Sequence, residues 1–310
     1  PSSRDGVETV RAARAQAPVR RSRRLGSIGE LVDPLLAWGL PQLRELPWRS
    51  TRDRWHILVS EVMSQQTQVD RVVSKFLAFV EAYPTPRECA DAPLGELLTL
   101  WSGLGYPRRC RNLHEASKVI VDRHGGVVPD SLEELLALPG VGDYTARAVL
   151  VFADHREIGI VDTNVARVVA RIENRALGKK ELQSIVDEVV PSGLAWEWNQ
   201  VLMDFGATVC TARSPRCHDC PVMSSCGWAG RNGDDPAPLT AGTSRPQGRF
   251  EGSDRQARGK LLRELTRRGV RPGDAASVMG DLDVDRTNRL VGQLKTEGLI
   301  VERDGFLSLP

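Results

Sequence analysis

The feature that most constrains this chain is a group of four cysteines, Cys210, Cys217, Cys220 and Cys226. Their spacing, Cys-x6-Cys-x2-Cys-x5-Cys, predicts either a metal centre or a pair of disulfides. The first residues contain no apolar segment of the kind found in secretory signals, so we expect a reducing, cytoplasmic environment and a metal centre. Spacing alone leaves zinc and an iron–sulfur cluster as alternatives, because four thiolates bind both.

Length and composition bound the fold. A chain of 310 residues, 41% of them hydrophobic, can form about two domains. No apolar run is long enough to span a bilayer, so no membrane partner is expected. The net charge of +2 is uninformative, but the first 25 residues contain seven arginines against Asp5 and Glu8. Residues 1–26 are therefore predicted to be a basic flexible arm, whose role could be phosphate contact or none.

Helical periodicity dominates residues 27–230, and Gly or Pro marks the predicted helix ends. Residues 231–249 are rich in Gly, Pro, Ser and Thr, which predicts a linker. Residues 250–310 contain three helical segments and two short strands around Asp304-Gly305, a pattern typical of a small winged-helix-like domain. Arg286 and Arg289 lie in the third of these helices, where a helix-turn-helix presents side chains to DNA. Packing against protein is the alternative role.

A short hairpin is predicted between two helices at Leu138-Pro139-Gly140-Val141-Gly142. Its glycines allow a tight turn that exposes backbone amides at the start of the next helix. Amides in that position, with the helix dipole behind them, form an anion site suited to a nucleic acid phosphate. The predicted phosphate-binding residues are Gly140, Val141 and Gly142.

Residues 27–230 resemble the helix-hairpin-helix DNA glycosylases that carry a [4Fe-4S] cluster, a superfamily that includes endonuclease III and the MutY-type adenine glycosylases. The resemblance rests on the ordered segments LPWR (46–49), SEVMSQQTQV (60–69), GLGYPRRCRNLH (103–114), LPGVGDYTA (138–146), VDTNVARVVAR (161–171) and NQVLMDFGATVC (199–210), followed by the cysteines. It implies an all-α helix-hairpin-helix glycosylase fold with a cluster loop at 210–226, where the four cysteines bind [4Fe-4S] rather than zinc. Residues 27–230 would then be the catalytic region.

The resemblance also indicates a branch. Endonuclease III-like enzymes have a lysine two residues after the last hairpin glycine, and Tyr144 stands there in this chain. A phenol cannot form the imine needed for strand cleavage, so a monofunctional glycosylase is implied. The SEVMSQQTQV segment is similar to the adenine branch, which excises A opposite 8-oxoguanine or G in double-stranded DNA. The alternatives are a thymine or uracil glycosylase acting opposite G, and an iron–sulfur winged-helix DNA-binding regulator.

By similarity to that branch, Glu61 protonates adenine at N7, and Asp162 stays ionised and stabilises the positive charge that develops on the sugar. Tyr144 and Asn164 would orient these two groups. Asp162 also precedes a predicted helix, so it could be an N-cap, and the capping amides would lower its pKa. From the residues alone, an ordinary exposed helix residue is the preferred interpretation of Glu61, and only the surrounding SEVMSQQTQ segment reverses that preference.

The resemblance implies two sets of substrate contacts in double-stranded DNA. Residues that would fill the gap left by the extruded base are Gln66, Thr67 and Tyr106. Residues that would border the adenine are Trp48, Arg49, Ser64 and Asp204. Ser64 departs from the leucine often found in this branch, which makes the pocket more polar. Many members carry a larger Nudix-like domain after the catalytic region, where residues 250–310 are here expected to form the winged-helix-like domain. We expect a monomeric, nucleoid-associated protein.

Overall fold

The computed structural model describes residues 27–229, 233–243 and 248–310, so the predicted basic arm at 1–26 lies outside the described residues. The helices in the described ranges are α1 (Val32–Gly39), α2 (Arg54–Ser64), α3 (Val69–Ala82), α4 (Pro86–Asp91), α5 (Leu94–Trp101), α6 (Pro107–His124), α7 (Leu132–Leu136), α8 (Asp143–Asp154), α9 (Thr163–Glu173), α10 (Lys179–Glu188), α11 (Ala195–Thr208), α12 (Asp254–Leu265), α13 (Ala275–Met279) and α14 (Val284–Thr296). An antiparallel pair of strands, β1 (Val301–Arg303) and β2 (Phe306–Ser308), completes the structure. None of the described helices is long and apolar enough to cross a membrane.

The helices pack around two separate apolar cores. The middle lobe, α2 to α8, buries one core, while the terminal lobe, α1 with α9, α10 and α11, buries the other. In chain order, the terminal lobe therefore contributes α1, the middle lobe follows with α2 to α8, and the terminal lobe is completed by α9 to α11. The connection from α8 to α9 crosses from one core to the other at residues 155–162. Side chains at that crossing and on the adjoining helices can meet between the lobes.

Helix α2 is buried on every side in the middle lobe. Asp53 caps its start, since its carboxylate accepts the His56 amide at 3.0 Å, and capping of this kind stabilises a helix by about 1 kcal/mol. Residues Trp55 and 57–63 are all buried. A carboxyl group within that stretch is held in an apolar environment because the helix has no solvent face. Glu61 is the carboxylate in this position.

The C-terminal domain follows the predicted element order, α12, α13, α14, β1 and β2. The hairpin turns at Asp304 and Gly305, with φ angles of 51° and 76°, as a tight two-residue turn requires. Its buried residues, among them Leu261 and Leu290, belong to the same apolar core as the middle lobe. The carbonyl of Pro310 accepts the Gly95 amide of α5 at 3.0 Å. The domain is thus docked on the middle lobe.

Residues 233–243 of the predicted linker at 231–249 pack against the terminal lobe. The Asp235 carboxylate pairs with buried Arg171 of α9 at 2.7 Å, and the Ala241 amide donates to the Leu177 carbonyl at 2.9 Å. Thr240 and Ala237 are buried. Polar and small residues of this segment therefore make hydrogen bonds and an ion pair with the terminal lobe. The composition of the segment did not indicate these contacts.

Candidate active site and cluster site

Two helices of the middle lobe, α2 and α8, bring a carboxylic acid and a phenol together. The Tyr144 hydroxyl on α8 donates a hydrogen bond of 2.7 Å to Oε2 of Glu61 on α2. Glu61 is only 5% exposed. Burial raises the pKa of Glu61 to about 7; the charge of Asp162 raises it as well, whereas the Tyr144 hydroxyl and Arg49 lower it. At neutral pH this carboxyl group therefore holds a proton about half of the time, as a general acid requires.

Asp162 caps α9 with the same carboxylate whose charge raises the pKa of Glu61. Its Oδ1 accepts the amides of Asn164 and Val165 at 2.8 and 2.6 Å, and its Oδ2 accepts the Asn164 side-chain amide at 2.7 Å. The expected lowering of its pKa was wrong. Burial raises the pKa of Asp162, and the capping bonds offset this effect only in part.

Asn164 is fixed between Asp162 and the interior of the terminal lobe. Its Oδ1 accepts a hydrogen bond of 2.8 Å from the Arg167 guanidinium, so the amide orientation is set and Nδ2 must face Asp162. Gly206 of α11 lies directly behind, where a Cβ atom would come within 2.6 Å of the Asn164 Cβ. The Asp162 carboxylate is thus held in one orientation.

Asp204 differs from the expected base contact. Its two oxygens accept five hydrogen bonds, from the Arg44 amide and the guanidinium groups of Arg44 and Arg49. Burial acts to raise the pKa of Asp204, but these bonds outweigh it and lower the pKa. With its lone pairs occupied, Asp204 holds Arg49 rather than a base edge. The Arg49 Nε is buried and has no hydrogen-bond partner among the described residues.

Two other residues predicted to border the adenine have different surroundings. Trp48 belongs to the core: it is 9% exposed and packs edge-on against Phe76, with ring centroids 5.3 Å apart. Ser64 is the last residue of α2 and is half-buried. Of these two side chains, only that of Ser64 is therefore partly accessible to solvent.

The predicted wedge residues, Gln66, Thr67 and Tyr106, lie on two adjoining loops. Gln66 and Tyr106 both have left-handed backbones, with φ of 56° and 46°, a conformation uncommon in non-glycine residues and frequent at functional sites. The Thr67 hydroxyl donates to the Leu104 carbonyl at 3.2 Å, which joins the two loops. All three residues line one large cleft.

Arg109, which the sequence analysis did not single out, ties these loops to the end of α2. Its guanidinium donates to carbonyls of residues 62, 63, 65, 104 and 105 and to the Thr67 hydroxyl. It also lies over the rings of Trp101 and Tyr106, at 5.6 and 5.3 Å. Desolvation lowers the pKa of Arg109 to about 10, so it stays cationic at neutral pH. Its carbonyl partners carry no sequence signal, which is why sequence reasoning missed it.

The hairpin between α7 and α8 has the predicted tight turn. Gly140 has a φ of 77°, and a Cβ there would come within 2.6 Å of the Asn112 Cβ, so only glycine fits. Gly142 caps α8 without a side-chain bond. The Val141 amide, by contrast, donates to the Leu138 carbonyl at 3.1 Å. Val141 therefore shapes the turn, and phosphate binding by Gly140, Val141 and Gly142 stays a prediction.

The four cysteines line one small cavity beside α9 and α11, and none forms a disulfide. Within residues 27–229, 233–243 and 248–310, no three His, Cys, Asp or Glu side chains converge on a position for a single metal ion. Four thiols around an apolar cavity suit a larger, thiolate-bound group. Such a group carries negative charge, and two buried arginines of α9, Arg167 and Arg171, adjoin the Cys210 side of the cavity.

Arg171 connects the cysteine loop to the rest of the terminal lobe. Its guanidinium donates to Cys210 Sγ at 3.4 Å, to the carbonyls of Thr211 and Ala212, and to Asp235. The Trp228 ring stacks over it at 4.6 Å. Because Arg171 lies on α9 and Asp162 caps the same helix, the cysteine loop and the Asp162 carboxylate share a rigid support. Nothing in the sequence pattern distinguished Arg171 from other helix arginines.

Comparison with known proteins agrees with this arrangement. Residues 59–192 match the family described as HhH-GPD superfamily base excision DNA repair protein, and residues 210–226 match the iron–sulfur binding domain of endonuclease III. The adenine DNA glycosylase of Mycolicibacterium smegmatis is 41% identical, over 89% of this chain and 94% of its own. That of Mycobacterium tuberculosis is 40% identical, over 89% and 92%.

Solved structures give the same fold. A thermostable thymine-DNA glycosylase is similar with a TM-score of 0.60 and 30% identity, covering 64% of this chain and 95% of its own. A non-covalent endonuclease III–DNA complex is similar with a TM-score of 0.59 and 27% identity, covering 65% and 94%.

The fold and the site define a helix-hairpin-helix DNA glycosylase of base excision repair, with DNA as its partner. The prediction of a [4Fe-4S] cluster rather than zinc is confirmed, and the matched segment 210–226 contains the four cysteines. Their individual roles as cluster ligands stay a prediction. The chain belongs to the adenine DNA glycosylase family.

Proposed function

We propose that this chain is a monofunctional glycosylase that removes adenine opposite 8-oxoguanine or G from double-stranded DNA. One observation carries the proposal: Glu61 is buried with a pKa of about 7, receives the Tyr144 hydroxyl, and faces the Asp162 carboxylate. A half-protonated acid beside a fixed carboxylate is the pair that glycosidic bond cleavage uses. The similarity of the mycobacterial adenine DNA glycosylases over most of their length supports adenine as the base.

The reaction divides between the two carboxyl groups. Protonated Glu61 donates its proton to N7 of adenine, so that the electrons of the breaking C1′–N9 bond leave with a neutral base. Asp162 faces the sugar and stabilises the positive charge that develops on it. Water then adds to C1′, and its proton returns to the Glu61 carboxylate. Tyr144 and Asn164 position the two groups through the bonds described above and exchange no proton with substrate.

The presence of Tyr144 also supports a glycosylase that does not cleave the DNA strand. Its hydroxyl is committed to Glu61, and it stands where a lysine amine would have to attack C1′ to form an imine. The product is then an abasic site in an intact strand. We assign no covalent intermediate to this chain.

Base extrusion and DNA binding use the remaining residues. Gln66, Thr67 and Tyr106 fill the gap opposite the orphaned base, and Gly140 with Gly142 presents amides to a phosphate of the duplex. Cys210, Cys217, Cys220 and Cys226 would hold the [4Fe-4S] cluster, which would order the loop that carries Arg213 and Arg216, both exposed. A monomer suffices for all of these contacts.

Thymine or uracil opposite G remains the second candidate, because a thymine-DNA glycosylase shares the fold at 30% identity. Ser64 could allow thymine or uracil to bind in place of adenine, since a hydroxyl beside the base pocket favours a more polar base edge. The Gln65-Gln66-Thr67-Gln68 segment, which resembles the adenine branch, favours the first candidate.

A single-turnover panel tests this proposal. Duplexes carrying A opposite 8-oxoguanine, A opposite G, T opposite G and U opposite G are incubated with excess protein and read with and without alkali. We expect cleavage only at A, and only after alkali. Cleavage at T or U would assign the chain to the mismatch candidate, and cleavage without alkali would contradict a monofunctional enzyme.

A further inference from the structure

A segment that follows the cysteine loop packs beside the cluster cavity. Within residues 233–243, Asp235 pairs with buried Arg171 of α9 at 2.7 Å, and the Thr240 hydroxyl accepts the Leu177 amide at 3.2 Å. Arg171 also lines the cavity that the four cysteines form. The segment therefore contacts the cavity wall itself, and a carboxylate is the group that makes this contact.

The Arg171 guanidinium is held in one orientation by its partners. Its Nε and Nη2 donate to the two oxygens of Asp235 at 2.7 to 3.3 Å. Nη2 also donates to the Ala212 carbonyl at 3.2 Å, while Nη1 donates to the Thr211 carbonyl at 2.7 Å and to Cys210 Sγ at 3.4 Å. Because a guanidinium is a rigid planar fork, a carboxylate bound along one edge directs the other edge at the sulfur.

The charges on the Cys210 side of the cavity come from two arginines and one carboxylate. Arg171 has only 2% of its side chain exposed, whereas Asp235 is 25% exposed. Arg167, also buried, donates to the Cys210 carbonyl at 2.7 Å. In the described part of the chain, Asp235 is the only carboxylate within ion-pair distance of Arg171, and none lies within that distance of Arg167. Asp235 therefore offsets one of two positive charges.

Net charge and hydrogen bonds to the sulfurs both set the reduction potential of an iron–sulfur cluster. Reduction adds one negative charge to the cluster, so a nearby cation favours the reduced form and a nearby carboxylate favours the oxidised form. These effects are stronger at a buried site, because the protein interior screens charge less than water does. The Arg171 guanidinium and the Asp235 carboxylate therefore act in opposite directions on a cluster that Cys210 binds.

We propose that Asp235 is a positioning residue for the [4Fe-4S] cluster, which holds the Arg171 guanidinium against Cys210 and offsets its charge, so that the cluster has a lower reduction potential. The inference goes beyond base excision and rests on the proposal that Cys210 is a cluster ligand. The segment matched to the iron–sulfur binding domain, 210–226, ends before Asp235. The assignment of Asp235 therefore comes from its contacts alone.

The midpoint potential of the iron-loaded protein, bound to undamaged duplex DNA on an electrode, tests the proposal. The electrode exchanges one electron with the cluster. Asp235→Asn keeps the size of the side chain and removes its charge, so it should shift the equilibrium about tenfold toward the reduced cluster and raise the midpoint potential by about 59 mV. Arg171→Gln removes the opposite charge and should lower the potential. A general loosening of the loop would move both variants in the same direction.

Three further variants separate charge from packing. Asp154→Asn breaks a matched pair in the middle lobe, where Asp154 is 20% exposed and binds Arg54 at 2.9 Å, and should leave the potential unchanged. Thr240→Val loosens segment 233–243 without removing a charge, so it should lower the melting temperature but not move the potential. Asp235→Glu retains the charge and should keep the potential near the wild-type value.

An Asp235→Asn potential that is unchanged or lower would overturn the proposal, as would an equal rise in Thr240→Val. An Asp235→Asn protein without iron would also overturn it, because Asp235 is proposed to tune a bound cluster and not to assemble it. Iron content per chain tests the ligand separately: Cys210→Ser with a full cluster and the wild-type potential would show that Cys210 is not a ligand. None of these measurements depends on which base is excised, so the excision panel is an independent result.

Discussion

Glu61→Gln should abolish adenine excision and yet make the folded protein more stable above pH 7. The amide cannot donate a proton to N7, and loss of a general acid reduces rates by roughly 10²–10⁴-fold. The amide does keep the shape of the side chain and can still accept the Tyr144 hydroxyl. We therefore expect an intact fold, an intact cluster and a single-turnover rate lowered by about three orders of magnitude.

The stability gain follows from the raised pKa. The Glu61 pKa is raised from 4.5 to about 7 on folding, so the folded state holds a proton that the unfolded state releases. Stability therefore falls as pH rises from about 4.5 to about 7, and the loss is constant above that range. At about 1.4 kcal/mol per pKa unit the loss is on the order of 3 kcal/mol. Glutamine carries no charge and avoids this loss.

Denaturant unfolding of the two proteins at pH 5 and pH 8 measures this difference. We expect the variant to gain stability mainly at pH 8. A variant that is no more stable than the wild type at pH 8 would show that Glu61 is not held in an apolar environment. Retained excision would remove Glu61 from the mechanism.

Asp162→Asn separates catalysis from helix capping. Asparagine is as good an N-cap as aspartate, so its side-chain oxygen can still accept the amides of Asn164 and Val165, but its Nδ2 replaces Oδ2 and loses the hydrogen bond from the Asn164 side chain. The negative charge is lost as well, and removal of one such stabilising group costs roughly 10²–10³-fold in rate. We expect a stability loss of about 1 kcal/mol for the missing hydrogen bond, with excision reduced by at least that factor.

The control for this variant is another N-cap aspartate, far from Asp162 in the chain. Asp283 caps α14 in the same manner, accepting the Arg286 amide at 2.7 Å, and lies in the C-terminal domain. Asp283→Asn should leave both the melting temperature and the excision rate near the wild-type values. Equal excision by Asp162→Asn and Asp283→Asn would reduce Asp162 to a structural cap.

The sequence predicted the parts of the site that depend on local patterns. Helical periodicity, the hairpin glycines and the cysteine spacing indicated the elements and the metal centre. Asp162 was recognisable as an N-cap from its position before a helix. These predictions succeed because each feature is determined by residues close together in the chain.

The features that the sequence did not predict depend on contacts between residues far apart in the chain. Trp48 and Asp204 were expected at the base pocket, but one packs on Phe76 and the other is enclosed by Arg44 and Arg49. The direction of the Asp162 pKa shift was wrong because burial between two lobes outweighs local capping bonds. The carbonyl partners of Arg109 come from several loops, and no residue pattern marks a carbonyl.

The pH dependence of single-turnover excision is the most direct test of the claim that buried Glu61 donates the proton. On A opposite 8-oxoguanine, the rate should be constant below about pH 7 and fall about tenfold per pH unit above it. The Tyr144 hydroxyl lowers the Glu61 pKa, so Tyr144→Phe should move the fall to higher pH. A rate independent of pH from 6 to 9, or a fall that Tyr144→Phe leaves in place, would contradict the account.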